Sequence, residues 1–186
     1  MGESKLTKWQ VTQSELVLDN RWARVRRDTC TLPDGSHIDD YFYWEGNDFA
    51  QVFALTSDER VVLVRQYKHG VKDIVLELPA GMVSENDVDP AATARRELAE
   101  ETGFDAPTWR QLGILYPSSA KSATRCFAYL ALQARLVHST HPDATEIIEV
   151  EKYSVPDLLQ LIATGEIRDS NSIAICLLAL TALNRI

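Results

Sequence analysis

The chain has 186 residues, of which 45% are apolar and 25% charged, a composition typical of a globular domain with a sizeable core. The formal net charge is −8 and no Lys/Arg-rich run occurs, which argues against nucleic acid as a partner. No signal peptide is recognisable, and no apolar run approaches the roughly 18 residues of a membrane span. We therefore expect a cytoplasmic protein without a membrane partner. Its cysteines, which match no metal motif, are predicted to be reduced and buried: Cys30, Cys126 and Cys176.

The N-terminal part of the sequence is predicted to form β-strands. Alternating and aromatic-rich segments cover residues 16–18, 22–26, 29–32 and 38–44. Pro33, Asp34 and Gly35 are typical of a turn between two strands. We assign residues 1–47 to an N-terminal antiparallel β extension.

Residues 48–186 combine strands with helices and form the second predicted domain. Predicted strands cover residues 51–55, 61–67, 74–78, 112–116, 125–135 and 147–153, and residues 79–81 are predicted to turn. Two C-terminal helices are predicted over residues 155–163, where Ser154 is the cap, and over residues 172–183. This pattern favours an α+β fold, a mixed α/β sandwich.

A further helix is predicted to begin at Pro90. Asp89 is a suitable cap, proline is favoured at the first helical position, and Gly103 is typical of a helix end. Ala94 and Leu98 belong to a stripe that we expect to be buried.

Three acidic residues on this helix are the first indication of chemistry. Glu97, Glu100 and Glu101 are spaced so that they crowd one face, where like charges repel. A divalent cation such as Mg²⁺ would relieve the repulsion, because it prefers oxygen ligands and bridges carboxylates to phosphates. Arg96, one turn before Glu100, is placed to hold that carboxylate. From this spacing alone, a solvated acidic face remains the alternative.

The wider pattern around the helix resembles the Nudix box, Gly-x5-Glu-x7-Arg-Glu-U-x-Glu-Glu-x-Gly-U, where U is a bulky aliphatic residue. The second half matches from Arg96 to Gly103, with Phe104 in place of the aliphatic residue. In the first half, fourteen residues instead of thirteen separate Gly81 from Arg96, and Asp87 is the candidate to replace the loop glutamate. The resemblance implies the Nudix fold, a mixed β-sheet between helices.

Residues 64–68, 76–81 and 165–170 resemble the ADP-ribose pyrophosphatase branch of that family. The resemblance implies hydrolysis of a nucleoside diphosphate sugar, such as ADP-ribose to AMP and ribose 5-phosphate. It also implies a homodimer in which the N-terminal strands contribute to the partner's site. The alternatives are another substrate, such as GDP-mannose or NADH, and a domain that binds a nucleotide without cleaving it. Lys121 and Arg125 place positive charge where that branch commonly has an acid, which leaves the sugar open.

The resemblance also implies which residues act. Mg²⁺, or Mn²⁺ in its place, would be held by the Ala80 carbonyl, Glu97 and Glu101, with Glu100 sharing a metal or a water molecule. In the loop that carries the family's general base, Glu146 is the first choice, and Asp143 and Glu149 are the alternatives. The predicted substrate contacts are Lys68, Glu77, Arg65, Met82, Trp22 and Tyr41. For Trp22 and Tyr41, core or interface packing is an equal alternative.

Overall fold

The computed structural model describes residues 6–137, 139–140 and 147–186. The chain divides into two compact units, one formed by residues up to 47 with 118–124 and the other by residues 48–117 with 125–186. Residues 118–124 thus group with the N-terminal strands although they lie far along the chain. No helix in the described ranges is long and apolar enough to cross a membrane.

The N-terminal unit is built on a three-stranded antiparallel sheet in the order β1-β2-β3. Its strands are β1 (Gln10–Asn20), β2 (Ala23–Thr31) and β3 (His37–Trp44). The first turn is tight because the Asn20 side chain accepts hydrogen bonds from the backbone N–H groups of Trp22 and Ala23. In the second turn, Gly35 has a φ of 85°, a conformation that glycine adopts without strain.

The second unit contains an eight-stranded mixed sheet. Its strands are β4 (Phe49–Thr56), β5 (Arg60–Lys68), β6 (Asp73–Glu77), β7 (Ala80–Met82), β8 (Phe104–Asp105), β9 (Thr108–Leu115), β10 (Cys126–Leu136) and β11 (Ile148–Ser154). β4 and β10 pair in parallel at the centre, and the other pairings are antiparallel. β6 pairs with β5 and β7 with β4, so the segment before the acidic helix is anchored to the middle of the sheet.

Helices cover both faces of this sheet. Alternate residues of β4 point to opposite faces: Val52 packs with α1 (Pro90–Thr102), whereas Phe53 packs with α2 (Val155–Ala163) and α3 (Ser170–Ala182). The prediction of an α+β sandwich with an N-terminal antiparallel sheet is confirmed.

Capping explains why α1 was predicted well. The Asp89 side chain accepts a hydrogen bond from Ala92 N–H, Pro90 is the first helical residue, and Gly103 ends the helix in the left-handed conformation. Ser154 caps α2 as predicted. The third helix was predicted two residues too late, because its cap is Asp169. The strands β7 and β8 were not predicted, and Ala80 and Gly81 lie in β7, where a turn was expected.

Candidate active site

The segment before α1 and one face of that helix form a closely packed unit. A methyl group added at Gly81 would lie 2.0 Å from Cδ of Glu97, so the Glu97 carboxylate rests directly against the Gly81 backbone. Only a residue without a side chain permits this approach. Glycine at this position therefore sets the place of the Glu97 carboxylate.

Glu101 approaches the same segment from the next turn of the helix. Its side chain is only 1% exposed, and its Oε2 accepts a hydrogen bond of 3.0 Å from Ala80 N–H. The Gln66 amide lies 3.1 Å from Oε1 of Glu77 and 3.5 Å from Oε1 of Glu101, and so connects the two acids. Glu97 and Glu101 thus converge on residues 80–81.

Glu77 is buried at the edge of this arrangement and has one cationic neighbour. The Lys68 ammonium lies 3.0 Å from Oε1 of Glu77. Burial raises the pKa of the Glu77 carboxyl above its ordinary value, and the charge of Lys68 partly opposes the shift. The ammonium therefore favours the ionised form of a carboxylate that burial disfavours.

Arg96 links the loop before the helix to the acidic face. Its guanidinium contacts Asp87 at 3.1 Å, Glu97 at 2.7 Å, Glu100 at 2.9 Å and the Met82 carbonyl at 3.2 Å. The guanidinium holds the pKa of the Asp87 carboxyl well below its usual range, with help from hydrogen bonds of Ser84. Asp87 therefore contacts the box arginine from the lengthened loop, as expected for a substitute of the loop glutamate.

The three box carboxylates do not converge equally. Glu100 is 43% exposed and turns toward Arg96, whereas the Glu97 side chain is 13% exposed. All three residues have the spacing expected of one helix face, but their side chains point in different directions. Within the described ranges, no three His, Cys, Asp or Glu side chains form a preassembled metal site. The oxygens of Glu97, Glu101 and the Ala80 carbonyl nevertheless fit a hard divalent cation, because two largely buried carboxylates flank that one backbone segment.

One cavity of the second unit adjoins residues 80–81, and a larger cavity lies next to it. The smaller, of about 260 Å³, is lined by Phe49, Gln51, Lys68, Glu77, Ala80, Gly81, Met82, Asp169 and Asn171. The larger, of about 770 Å³, is lined by the β5–β6 connection and the segment before α3 and shares Lys68, Glu77 and Asp169 with the smaller. The structure therefore brings three of the predicted substrate contacts, Lys68, Glu77 and Met82, to the cavity beside the box.

The structure does not bring Arg65 to either cavity lining. Its guanidinium lies 2.5 Å from a Glu151 carboxylate oxygen and 2.9 Å from Glu166. Neighbouring residues of a strand face opposite sides, so Arg65 points away from the face on which Gln66 meets Glu101. Through these contacts Arg65 connects β11 with the segment that follows α2.

Trp22 and Tyr41 lie in the N-terminal unit. Trp22 is 77% exposed, and the Arg21 guanidinium lies 4.5 Å from the centre of its ring. The Tyr41 hydroxyl donates to the Ala120 carbonyl, and the Lys121 ammonium lies over the Tyr41 ring. Lys121 is one of the two positive charges that the sequence analysis found where the branch commonly has an acid, and it contacts an aromatic ring. In the second unit, Arg125 pairs with Asp48 at 2.6 Å.

Two of the three candidates for the general base lie outside the described residues. Glu146 and Asp143 both lie in the range 141–146, which the structure does not describe. Glu149 is exposed and lies opposite Arg65 in the β5–β11 pairing, so it shares the sheet face of Arg65. Its side chain therefore points away from the face that carries Gln66 and Glu101.

A buried polar network behind the site was missed by the sequence analysis. The Gln51 amide donates to the Leu78 carbonyl at 3.2 Å and to the Ser172 hydroxyl at 2.9 Å, and Leu78 N–H donates to the same hydroxyl at 3.0 Å. Asp169 accepts from Ser172 N–H at 2.7 Å. The available signal was a glutamine within the apolar strand β4. Two of its partners, Asp169 and Ser172, lie more than 100 residues away along the chain, so the sequence does not reveal them.

Comparison with known protein families agrees with this geometry. Residues 49–174 match the NUDIX domain model, and residues 9–44 match the model for the nucleoside diphosphate sugar hydrolase N-terminal domain. The chain belongs to the Nudix family. The predicted family and the prediction of a Nudix pyrophosphohydrolase are thereby confirmed.

Individual relatives of this Nudix protein differ in their activities. An ADP-ribose pyrophosphatase of Mycobacterium tuberculosis is 30% identical over 171 residues, which are 89% of this chain and 80% of that protein. A GDP-mannose pyrophosphatase of Klebsiella pneumoniae subsp. pneumoniae is 30% identical over 169 residues, 84% of each chain. A crystal structure of an ADP compounds hydrolase superposes with a TM-score of 0.83 and 19% identity, covering 99% of this chain and all of that one, and this likeness concerns the fold.

Proposed function

We propose that this Nudix protein hydrolyses the pyrophosphate bond of a nucleoside diphosphate sugar, with ADP-ribose as the first candidate substrate and AMP and ribose 5-phosphate as products. The observation that carries the proposal is the convergence of Glu97 and Glu101 on residues 80–81. The match of residues 9–44 to the nucleoside diphosphate sugar hydrolase model supports the substrate class.

Nudix hydrolases generally use divalent metals. In this chain Glu97, Glu101 and the Ala80 carbonyl would hold Mg²⁺ or Mn²⁺, and Glu100 would share it. The cation would neutralise the diphosphate and lower the pKa of a bound water molecule. Arg96 holds the carboxylates in place through its ion pairs, and the Lys68 ammonium, beside the same cavity, is placed to attract a phosphate oxygen.

Two further parts of the proposal concern the general base and the assembly. Glu146 is proposed as the base, and Asp143 is the remaining alternative, since Glu149 faces the other side of the sheet. Glu146→Gln should depress kcat far more than KM, and an unchanged kcat would transfer the role to Asp143 or to a metal-bound hydroxide alone. A cytoplasmic homodimer, in which the N-terminal strands with Trp22 and Tyr41 contribute to the partner's site, completes the proposal.

The decisive experiment is a substrate panel measured with Mg²⁺, with Mn²⁺ and with EDTA. It contains ADP-ribose, GDP-mannose, UDP-glucose and NADH, and released phosphate monoesters are quantified. We expect metal-dependent cleavage of ADP-ribose to AMP and ribose 5-phosphate. The likeness to a GDP-mannose pyrophosphatase makes GDP-mannose the second candidate. Binding of ADP-ribose without cleavage of any compound would contradict the enzyme and favour a nucleotide sensor.

A further inference from the structure

The large cavity beside the box is lined by four acids, and three of them have a cationic partner. The pairs are Glu77–Lys68 at 3.0 Å, Asp73–Arg168 at 3.3 Å and Glu166–Arg65 at 2.9 Å. Asp169 differs, because it forms no ion pair with any residue in the described ranges. Its Oδ2 accepts from Ser172 N–H at the start of α3, so its carboxylate has capacity for further hydrogen-bond donors.

Gln51, which lines the small cavity together with Asp169, contacts one oxygen of that carboxylate, because its amide nitrogen lies 3.5 Å from Asp169 Oδ2. Its side chain is 2% exposed, so a ligand in the cavity does not reach its Oε1. The orientation of the amide is determined by the Leu78 carbonyl, which accepts and cannot donate, so the amide nitrogen must face it. The Gln51 amide and Ser172 N–H therefore both meet Oδ2 of Asp169, and no residue in the described ranges donates to its Oδ1.

The Asp169 carboxylate defines the chemistry of a ligand. A group that binds this carboxylate must bring hydrogen-bond donors, which hydroxyl groups do and phosphate groups at neutral pH largely do not. Among the described residues, no aromatic side chain lines the large cavity, so it offers no ring on which a nucleobase would stack. A sugar therefore suits this cavity better than a base.

We propose that Asp169 binds hydroxyl groups of the sugar that lies on the far side of the substrate's diphosphate from the nucleoside. This inference rests on the proposed function. Lys68 and Glu77 belong to both cavities, so a diphosphate beside residues 80–81 leads directly to Asp169. A terminal phosphate would instead meet the carboxylates of Glu77 and Asp169, so nucleoside triphosphates should be poor ligands.

The test compares the binding of ADP-ribose with that of ADP, which ends at the diphosphate. Affinities are measured by calorimetry with Ca²⁺ in place of Mg²⁺ to limit turnover. Asp169→Ser keeps a helix-capping side chain but withdraws the carboxylate, and Asp169→Asn keeps the cap and one acceptor oxygen. Glu166→Gln is the matched control, because it removes the same charge from the same cavity at a carboxylate that Arg65 already occupies.

We expect Asp169→Ser to weaken binding of ADP-ribose by on the order of tenfold or more and binding of ADP by less than about threefold. Asp169→Asn should have an intermediate effect, and Glu166→Gln should change neither affinity. An equal effect of Asp169→Ser on both ligands, or no effect on ADP-ribose, would overturn the inference. So would a wild-type protein that binds ADP as tightly as ADP-ribose.

The outcomes separate this inference from the proposed activity. Wild-type protein that binds ADP-ribose through Asp169 but does not cleave it with Mg²⁺ would contradict the hydrolase and support the sugar site. Cleavage of ADP-ribose that is insensitive to Asp169→Ser would support the hydrolase and overturn the sugar site. Thermal unfolding of each variant verifies that the cap of α3 is retained. If Asp169→Ser does not fold, the affinities of Asp169→Asn for the two ligands decide between these outcomes.

Discussion

Substitution of Gly81 by alanine is expected to separate activity from stability. The added methyl group would lie 2.0 Å from Cδ and Oε1 of Glu97 and 2.4 Å from Oε2, far inside van der Waals contact. Because these atoms are the far end of a flexible side chain, the easiest relief is rotation of Glu97 away from the backbone. The carboxylate would then leave its place beside residues 80–81, while the strand and the helix remain.

The size of both effects follows from these contacts. A side chain forced from its preferred rotamer costs about 0.5–1.5 kcal/mol. The partly exposed ion pair of Glu97 with Arg96 is worth up to about 1 kcal/mol. Lower chain entropy of the unfolded alanine variant offsets about 0.4–1 kcal/mol. The free energy of unfolding should therefore fall by no more than about 2 kcal/mol, whereas loss of one charge-stabilising group lowers kcat/KM on the order of 10²- to 10³-fold.

The assay combines chemical unfolding with kcat/KM for ADP-ribose over a series of Mg²⁺ concentrations. Gly113→Ala is the matched control, since no atom lies within 4 Å of its added methyl group. We expect Gly113→Ala to behave as wild type, and Gly81→Ala to need more Mg²⁺ and to turn over far more slowly. Wild-type kcat/KM and metal dependence in Gly81→Ala would refute the role given to Glu97. A much larger loss of stability would refute the rotation.

Three further predictions concern residues of the second compact unit, 48–117 with 125–186. Glu101→Gln, which keeps the shape of the buried side chain, should lower kcat by orders of magnitude with little change in circular dichroism, and near-normal turnover would contradict the metal assignment. Arg96 lowers the pKa of Asp87, so the Asp87 carboxylate stabilises the fold at neutral pH and loses this contribution as pH falls below about 4 toward its depressed pKa. Accordingly, the difference in unfolding free energy between wild type and Asp87→Asn should shrink between pH 7 and pH 3, and a difference that grows in acid would refute the pairing. Burial raises the pKa of both Cys126 and Cys176 to about 12, so neither thiol should react with a disulfide reagent at pH 8 until the protein is unfolded, and prompt labelling of the native protein would contradict their burial.

The parts of the fold that the sequence predicted are those that local interactions determine. The ends of α1 follow from Asp89 and Gly103, which act within one turn of the helix. In contrast, β7 and β8 are three and two residues long and exist because β4 and β10 offer them hydrogen-bond partners. Such strands depend on residues far away in sequence, and no local pattern indicates them.

The same distinction applies to the candidate site. The box residues were found because a motif records their spacing, and spacing on a helix predicts which residues are neighbours. It does not predict that Glu100 turns to Arg96 while Glu101 is buried, since each direction depends on what the sheet presents to the helix. Arg65 differs from the motif's other cation for a related reason: Lys68 lines the cavity, but strand alternation directs Arg65 to the other face.

The bond between Leu78 N–H and the Ser172 hydroxyl has a consequence for biosynthesis. The two residues are 94 positions apart, so Leu78 emerges from the ribosome well before its partner exists. At roughly 5–20 residues per second, the delay lasts on the order of 5–20 seconds. During that time the acidic helix can form from its own caps, but the segment that leads to Ala80 lacks a hydrogen bond that completes its setting. A nascent chain therefore carries the whole box before it has a finished site, and α3, which is synthesised later, supplies the missing contact.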